Sequence, residues 1–436
     1  MTQLTAETYL DSLLRGQSSL PSSARSWLDA LRADALERAN ALSVPSTREE
    51  EWRYTDLSPL YGTTFQRAEG AGSIAAADLS AFEIPEAGHR LTFVDGHFVP
   101  ALSSIGAVAG LSIRPLSAAL AEQDPALEQH LARYAVLADN PFIALNTAWL
   151  HEGAVLRVGR NVAADAPVHL LCLSTRPDVA SHPRLLVVAE QGSDCTVIED
   201  YVAAHEGAYL VNAVAELAVE AGARVRHVRL QRESAEAFHI ATCAVRLERD
   251  AKYLGASVAL GARISRLNLD IVQAGEGAEA EIDGLALIGG RQLADTHSLL
   301  DHTLPHGRSR QLHKCIVDGS ARGVFNGKIF VRPGAQRTDS TQESRNLLLS
   351  ERAQVDTKPQ LEIYADDVKC AHGAAVGQLE ADQVFYLKSR GLDEATAREL
   401  LTFAFAAELV HRIPVPSVVR RLEQTIVRQT RKRTTQ

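Results

Sequence analysis

Apolar and polar positions follow three regimes along the chain. Near the start, Trp27, Leu28, Leu31 and Ala35 recur at helical spacing in a stretch rich in Ala, Arg, Asp and Glu, which predicts a helix. Pro45 and Ser46 break that pattern before Glu49–Tyr54, and the Gly/Ala/Ser-rich passage Gly70–Ala77 reads as a flexible connection. Further helical pieces are predicted near Ala126–Leu137 and Pro141–Leu150. From about Gly153 the helical period gives way to short apolar runs: Ala154–Val158, Val168–Leu173, Arg184–Val188, Val225–Leu230, Ile271–Val272.

Between these runs a corner repeats, in which a small or turn-forming pair precedes a strand. Gly192-Ser193, Gly222-Ala223, Asp250-Ala251 and Gly277-Ala278 are spaced by about 27–30 residues. Ser320-Ala321, Gly334-Ala335 and Arg352-Ala353 follow at about half that interval. Regular recurrence of strand and corner predicts a β-solenoid, in which each coil buries its faces against its neighbours and small corner residues let the chain turn. A β-sandwich also yields many short strands, but its two-residue hairpin signals are missing here.

Helical patterning returns at the end. Asp382–Arg390 is followed by Gly391 as a helix stop, and Asp393 is placed to cap a helix whose Ala397, Leu400, Leu401 and Ala404 share one face. Pro414 and Pro416 end it, and Ser417 starts a last helix carrying Val419, Leu422 and Ile426. This helical hairpin suits either a cap on the solenoid end or a docking surface. The expected division is an N-terminal helical region over 1–95, a β core over 96–378 with a helical lead-in at about 126–150, and a C-terminal helical domain over 379–436.

Composition narrows the function. A net charge of −9 argues against a nucleic-acid surface, and the short basic cluster Arg428, Arg431, Lys432 and Arg433 reads as a solvated helix end. Cys172, Cys195, Cys243, Cys315 and Cys370 are odd in number and never spaced as CxxC, a pattern of reduced thiols. The opening MTQLTAETYLDSLLRG lacks an apolar signal core, and no apolar run is long enough for a membrane span. A cytoplasmic location is the expectation.

Nucleotide and hydrolase signatures are absent. Asn326-Gly327-Lys328-Ile329 lacks the rest of a P-loop, Gly275-Glu276-Gly277 lacks the third glycine of a dinucleotide loop, and neither G-x-S-x-G nor H-E-x-x-H occurs. Two histidine-bearing passages remain. His297, His302, His306 and His313 interleave with Asp295, Asp301, Arg308 and Arg310, a donor set suited to iron or zinc. Their spacing alternates strand faces, however, which favours side chains lining a strand ladder or a subunit contact. In Asp366-Asp367-Val368-Lys369-Cys370-Ala371-His372-Gly373 a thiol and an imidazole stand two apart, on one side of an extended segment. Sulfur plus imidazole suits iron, sulfide or persulfide, against the plainer reading of a buried cysteine and a satisfied histidine.

Several blocks together resemble the SufB/SufD family: Glu51-Trp52-Arg53-Tyr54-Thr55-Asp56-Leu57, Phe325–Val331, Asn346–Ser350, Lys358–Ile363, Ala365–Gly377 and Phe385–Gly391. The resemblance runs from about residue 49 to 410. It implies a right-handed parallel β-helix flanked by N- and C-terminal α-helical domains. The C-A-H-G-A form of Cys370–Ala374 and the trim N-terminal region resemble the SufD branch. In that branch, the resemblance implies, the chain is not an enzyme but a scaffold in iron–sulfur cluster assembly. It would pair with SufB through the β-helix edge, with His372, and Cys370 beside it, handling iron or a nascent cluster at the shared interface. The SufC ATPase would dock on the C-terminal helices around Phe385, Tyr386, Leu387, Arg390 and Gly391. No tightly bound cofactor is implied, only a transient iron or Fe–S cluster shared with SufB and a reduced flavin in the assembled complex. An isolated chain would have its rim free to pair with a second copy.

Three other readings stay open at the level of sequence. One is a SufB-like homodimeric scaffold, another a β-helix interaction protein without metal chemistry. The third is an enzyme with Cys370 and His372 as nucleophile and base, for which no orienting third group is recognisable.

Overall fold

Small residues at the corners decide the architecture. In the computed structural model, which describes residues 5–17, 20, 25–137 and 140–434, one corner of successive coils holds a residue at positive φ. Gly192, Gly222, Asp250, Gly277, His306 and Arg337 form this column, and the N–H of each donates to a carbonyl of the next coil. The neighbouring Ala223, Ala251 and Ala278 are fully buried inside the bend, where a larger side chain would have no room. The opposite corner carries Gly290 and Gly319 at positive φ. Ser320-Ala321 and Arg352-Ala353 belong to this second column, so the later motifs arrive at half the repeat because both corners of a coil match the pattern.

The coils run through β1 and β2 (Gly153–Val158, Val168–Ser174), β3 and β4 (Arg184–Ala189, Asp194–Ala203), β5 and β6 (Leu210–Val219, Arg224–Arg232), and β7 and β8 (Phe238–Leu247, Lys252–Ala259). They continue through β9 and β10 (Ile264–Gln273, Glu279–Ile288), β11 and β12 (Leu293–His302, Arg308–Val317), β13 and β14 (Arg322–Val331, Asp339–Leu348), and β15 and β16 (Gln354–Ile363, Lys369–Gln378). Odd-numbered strands stack in parallel into one sheet and even-numbered strands into the other. The chain is a β-solenoid with terminal helices. Register is kept residue for residue from β9 to the last coil, because a one-residue slip would turn the lumen face of a strand outward.

The N-terminal end of the solenoid is closed. Strand His89–Val94 pairs in parallel with β2, and Leu111–Pro115 pairs antiparallel with β1. Leu91, Phe93 and Ile113 from these segments enter the apolar lumen beside Leu156 and Leu170. Helices α1 (Ala6–Leu13), α2 (Ser26–Ala41) and α5 (Pro141–Ala148) cover the outer face of the odd-strand sheet, where Tyr9, Leu10 and Phe142 pack on Phe238, Ile240 and Ile264. Between α2 and α5 lie two short helices, α3 (Leu116–Ala121) and α4 (Pro125–His130). The expected helix near Ala126–Leu137 stops early: Leu131 is extended, and Ala132 takes φ 57° in a bend that wraps the N–H groups of Ala132, Tyr134 and Ala135 around the Glu216 carboxylate.

The C-terminal helices do not cap the other end. Helices α6 (Ala381–Ser389), α7 (Glu394–Val410) and α8 (Pro416–Thr434) follow the last coil, and α7 and α8 lie along the outer face of the even-strand sheet. Gly391 takes φ 93° after α6, and the Asp393 side chain accepts from Thr396 N–H at 2.8 Å, as the capping pattern requires. The buried arc of α7 differs from the expected stripe. Ala397 is buried, but Leu400 and Ala404 face outward, whereas Thr402, Ala406, Leu409 and Val410 face in. Packing on both α8 and the sheet rotates the buried face, and Ala406 lets the helix approach the strands closely. Lys314 of β12 reaches out of the sheet to Glu408 at 2.6 Å and to the Phe405 carbonyl at 2.7 Å, which fastens α7 to the sixth coil.

Candidate functional site

The last coil is a rim. Strand β16 pairs with β14 on one side and has no strand on the other among the described residues, so one row of its N–H and C=O groups stays open. Apart from half-buried Cys370, all of β16 is exposed. Register places Cys370 opposite Ser340 and His372 opposite Gln342, both fully buried in the lumen. Cys370 and His372 therefore stand on the lumen side of the rim. Cys370 packs partly against the apolar core, and burial pushes its thiol up rather than toward thiolate. His372 is exposed.

Each of these residues tops a polar column inside the lumen. Under Cys370, Ser340 Oγ lies 2.6 Å from Ser309 Oγ, which lies 3.0 Å from His302 Nε2. Under His372, Gln342 Nε2 donates to Gln311 Oε1 at 2.8 Å, and Gln311 Nε2 donates to Ser298 Oγ at 2.9 Å. One coil deeper the register partners of Ser309 and Gln311 are Ala280 and Ile282, and the columns end. Gly327 makes room for the second column, since a Cβ there would sit 2.4 Å from Gln342 Nε2. Beside it His313 stacks on Phe325 at 4.6 Å. These Ser and Gln residues escaped the sequence reading. Their signal was the alternation Ser340, Gln342, Ser344, Asn346, polar at the spacing where a lumen face should be apolar.

The four clustered histidines do not converge. His302 and His313 point into the lumen, where burial pulls each down to about 4. His306 sits exposed at a corner, and His297 lies on the outer face of β11. No group of three or more potential ligands is gathered for a metal ion among the described residues.

His297 belongs instead to a clasp. The segment around Glu51–Leu57 crosses four successive odd strands. Arg266 of β9 stacks over Trp52 at 3.7 Å, and Asp295 of β11 accepts from Thr55 at 2.5 Å. Arg322 of β13 lies over Tyr54, and Lys358 of β15 pairs with Glu50 at 2.5 Å. His297 sits between Glu51 at 3.1 Å and Asp295 at 3.2 Å. Burial alone would lower its pKa, but Asp295 and Glu51 outweigh that and raise it. Burial likewise pushes Asp295 up, and Arg266, His297 and Thr55 overcome this to hold it at about 2. Under the clasp runs a groove of about 600 Å³ whose lining sets the carboxylates of Glu49, Glu50, Glu51 and Asp270 beside Arg266 and Lys328.

The remaining candidates are scattered. Cys195, Cys243 and Cys315 are buried, and Cys172 is raised by burial as they are; no thiol is bonded to another. On α6, Phe385 and Tyr386 are 72% and 55% exposed, Leu387 is half-buried, and the Arg390 guanidinium lies 5.2 Å over the Tyr386 ring. Leu400 on α7 adds to this outward apolar surface. Arg428 is exposed near the end of α8, and the side chains of Arg431, Lys432 and Arg433 lie outside the described residues. No helix among the described residues is long and apolar enough to cross a membrane.

Comparison with known proteins agrees with this geometry. Residues 172–405 match the family described as SUF system FeS cluster assembly, SufBD core domain, and residues 3–170 match the SufBD protein N-terminal region. An iron–sulfur cluster assembly SufBD family protein of Synechocystis is 38% identical, covering 98% of this chain and 97% of its own length. The iron–sulfur cluster assembly protein SufD of Escherichia coli is 33% identical over 87% of each chain. The chloroplastic protein ABCI7 of Arabidopsis thaliana is 32% identical, covering 94% of this chain and 86% of its own.

Proposed function

Because the chain belongs to the SufBD family of iron–sulfur cluster assembly proteins, we propose that it is the SufD-type, non-ATPase scaffold of a SufB–SufC–SufD complex. The observation that carries this reading is the rim: a parallel edge strand, open on one side among the described residues, bearing His372 and Cys370 on its lumen side above two polar columns. A sister solenoid of the SufB type would complete the strand pairing and face these side chains. The His372 imidazole then has a nitrogen to offer iron, and the half-buried Cys370 stands beside it. Iron, sulfide or the nascent cluster is cargo at that interface, and the chain keeps no cofactor of its own.

ATP hydrolysis falls in this reading to a SufC-type partner seated on Phe385, Tyr386 and the outward face of α6 and α7. The Lys314–Glu408 link supports a mechanical role, since a pull on α7 is passed to β12 and, through the ladder, toward the rim. The test is His372→Ala in cells. The variant should still co-purify with its partners while activity of Fe–S enzymes falls to that of a strain lacking the protein. Normal cluster assembly by the intact variant complex would refute the residue assignment. Replacing Phe385 with Asp should release the ATPase partner alone.

A further inference from the structure

The column under His372 ends on an atom without a partner. Gln342 is fully buried, and its Nε2 is committed to Gln311, yet its carbonyl Oε1 has no hydrogen-bond partner. Each amide of this column donates inward, from Gln342 to Gln311 and from Gln311 to Ser298. The acceptor left over belongs to the outermost rung, and the residue in register above it is His372. Strands in a ladder lie about 4.8 Å apart, which leaves an inward-turned imidazole N–H within reach of Oε1. A buried carbonyl this well enclosed is normally satisfied, so the rung is short of one donor.

We propose that Gln342 is a positioning residue for His372: when the rim is covered, Gln342 Oε1 accepts one ring N–H of His372 and fixes its tautomer. The other ring nitrogen is then unprotonated and faces the covering subunit, the arrangement in which an imidazole binds a metal cation. Gly327 serves the same end, because any side chain there would displace the Gln342 amide. This inference rests on the interfacial role assigned to His372 above.

The experiment is solid-state ¹⁵N spectroscopy of the histidine-labelled complex recovered from cells, with the His372 signals assigned by their loss in His372→Gln. The expected result is one tautomer in the wild-type complex, and in Gln342→Glu, which keeps an acceptor. Gln342→Leu should show a mixture of both tautomers and a several-fold loss of cluster delivery. Mixed tautomers in the wild-type complex, or a single tautomer surviving in Gln342→Leu, would overturn the proposal. If Gln342→Leu fails to assemble, the wild-type and Gln342→Glu spectra still decide. A normal phenotype for His372→Ala sinks the interfacial reading instead, whatever the tautomer.

Discussion

The two ends of the solenoid are finished in opposite ways. At the N-terminal end the chain folds its own strands over the stack, with Leu91 and Phe93 on one sheet and Ile113 on the other filling the lumen. Among the described residues nothing comparable is supplied at the C-terminal end. The chain has a helical domain to hand, yet lays α7 and α8 along the side of the even-strand sheet and leaves β16 bare. The lumen changes along its length: Leu91, Phe93, Leu156 and Leu170 fill it where the chain closes it, a buried polar network of Glu199, Tyr201, His227, Arg229 and His239 lies in coils two to four, and Ser and Gln columns reach the open end. A closed end is stabilised by burying apolar surface, whereas an open end has to tolerate water on polar side chains until something covers it. The contrast separates a structural terminus from an interface.

Substitutions at the two ends should differ most in the isolated chain. Phe93→Ala empties the closed end and should destabilise by about 3–5 kcal/mol. Val376→Ala on the exposed rim should stay within about 0.5 kcal/mol. Urea unfolding of both variants checks this, and equal losses would erase the distinction between the ends. Next in size is the helix anchor. Glu408→Ala should cost about 1–2 kcal/mol, less than a fully buried pair because Glu408 reaches solvent and the Phe405 carbonyl still holds Lys314. Hydrogen exchange should rise in α7 and leave β11 and β13 unchanged.

The smallest effect concerns the clasp over the odd strands. His297 gains proton affinity on folding, so its contribution is complete below the ordinary histidine range and fades as pH rises through its raised value. Exchange over residues 49–57 should therefore quicken beyond the intrinsic rate from about pH 6 to about pH 9, a span that brackets the ordinary histidine pKa of about 6.5. His297→Gln should remove that dependence. A clasp equally protected at both pH values would show that Trp52, Tyr54 and Thr55 hold it without the ion pairs.

Much of this contrast was legible in the sequence. Gly222-Ala223 and Gly277-Ala278 announced the coils because a tight corner admits few residue types, and Cys370 with His372 stood out as a sulfur–imidazole pair two apart. His306 and Arg337 hid their place in the positive-φ column, since neither is a usual turn residue there. The α7 stripe was misjudged because two surfaces compete for that helix. Gln342 and Gln311 left only the period-two polar row as a trace, because a polar residue in a strand reads as solvent-facing and only the register shows that it points inward. The Glu51–Leu57 block was visible as a motif, but its reach across four strands depends on contacts between residues more than two hundred positions apart.

The most direct test of the account is hydrogen exchange at Lys369–Gln378, compared between the isolated chain and the complex recovered from cells. The account predicts rapid exchange in the monomeric chain and strong protection in the complex, with His89–Val94 at the closed end protected in both. A complex that forms while Lys369–Gln378 stays as exchangeable as in the free chain would contradict it.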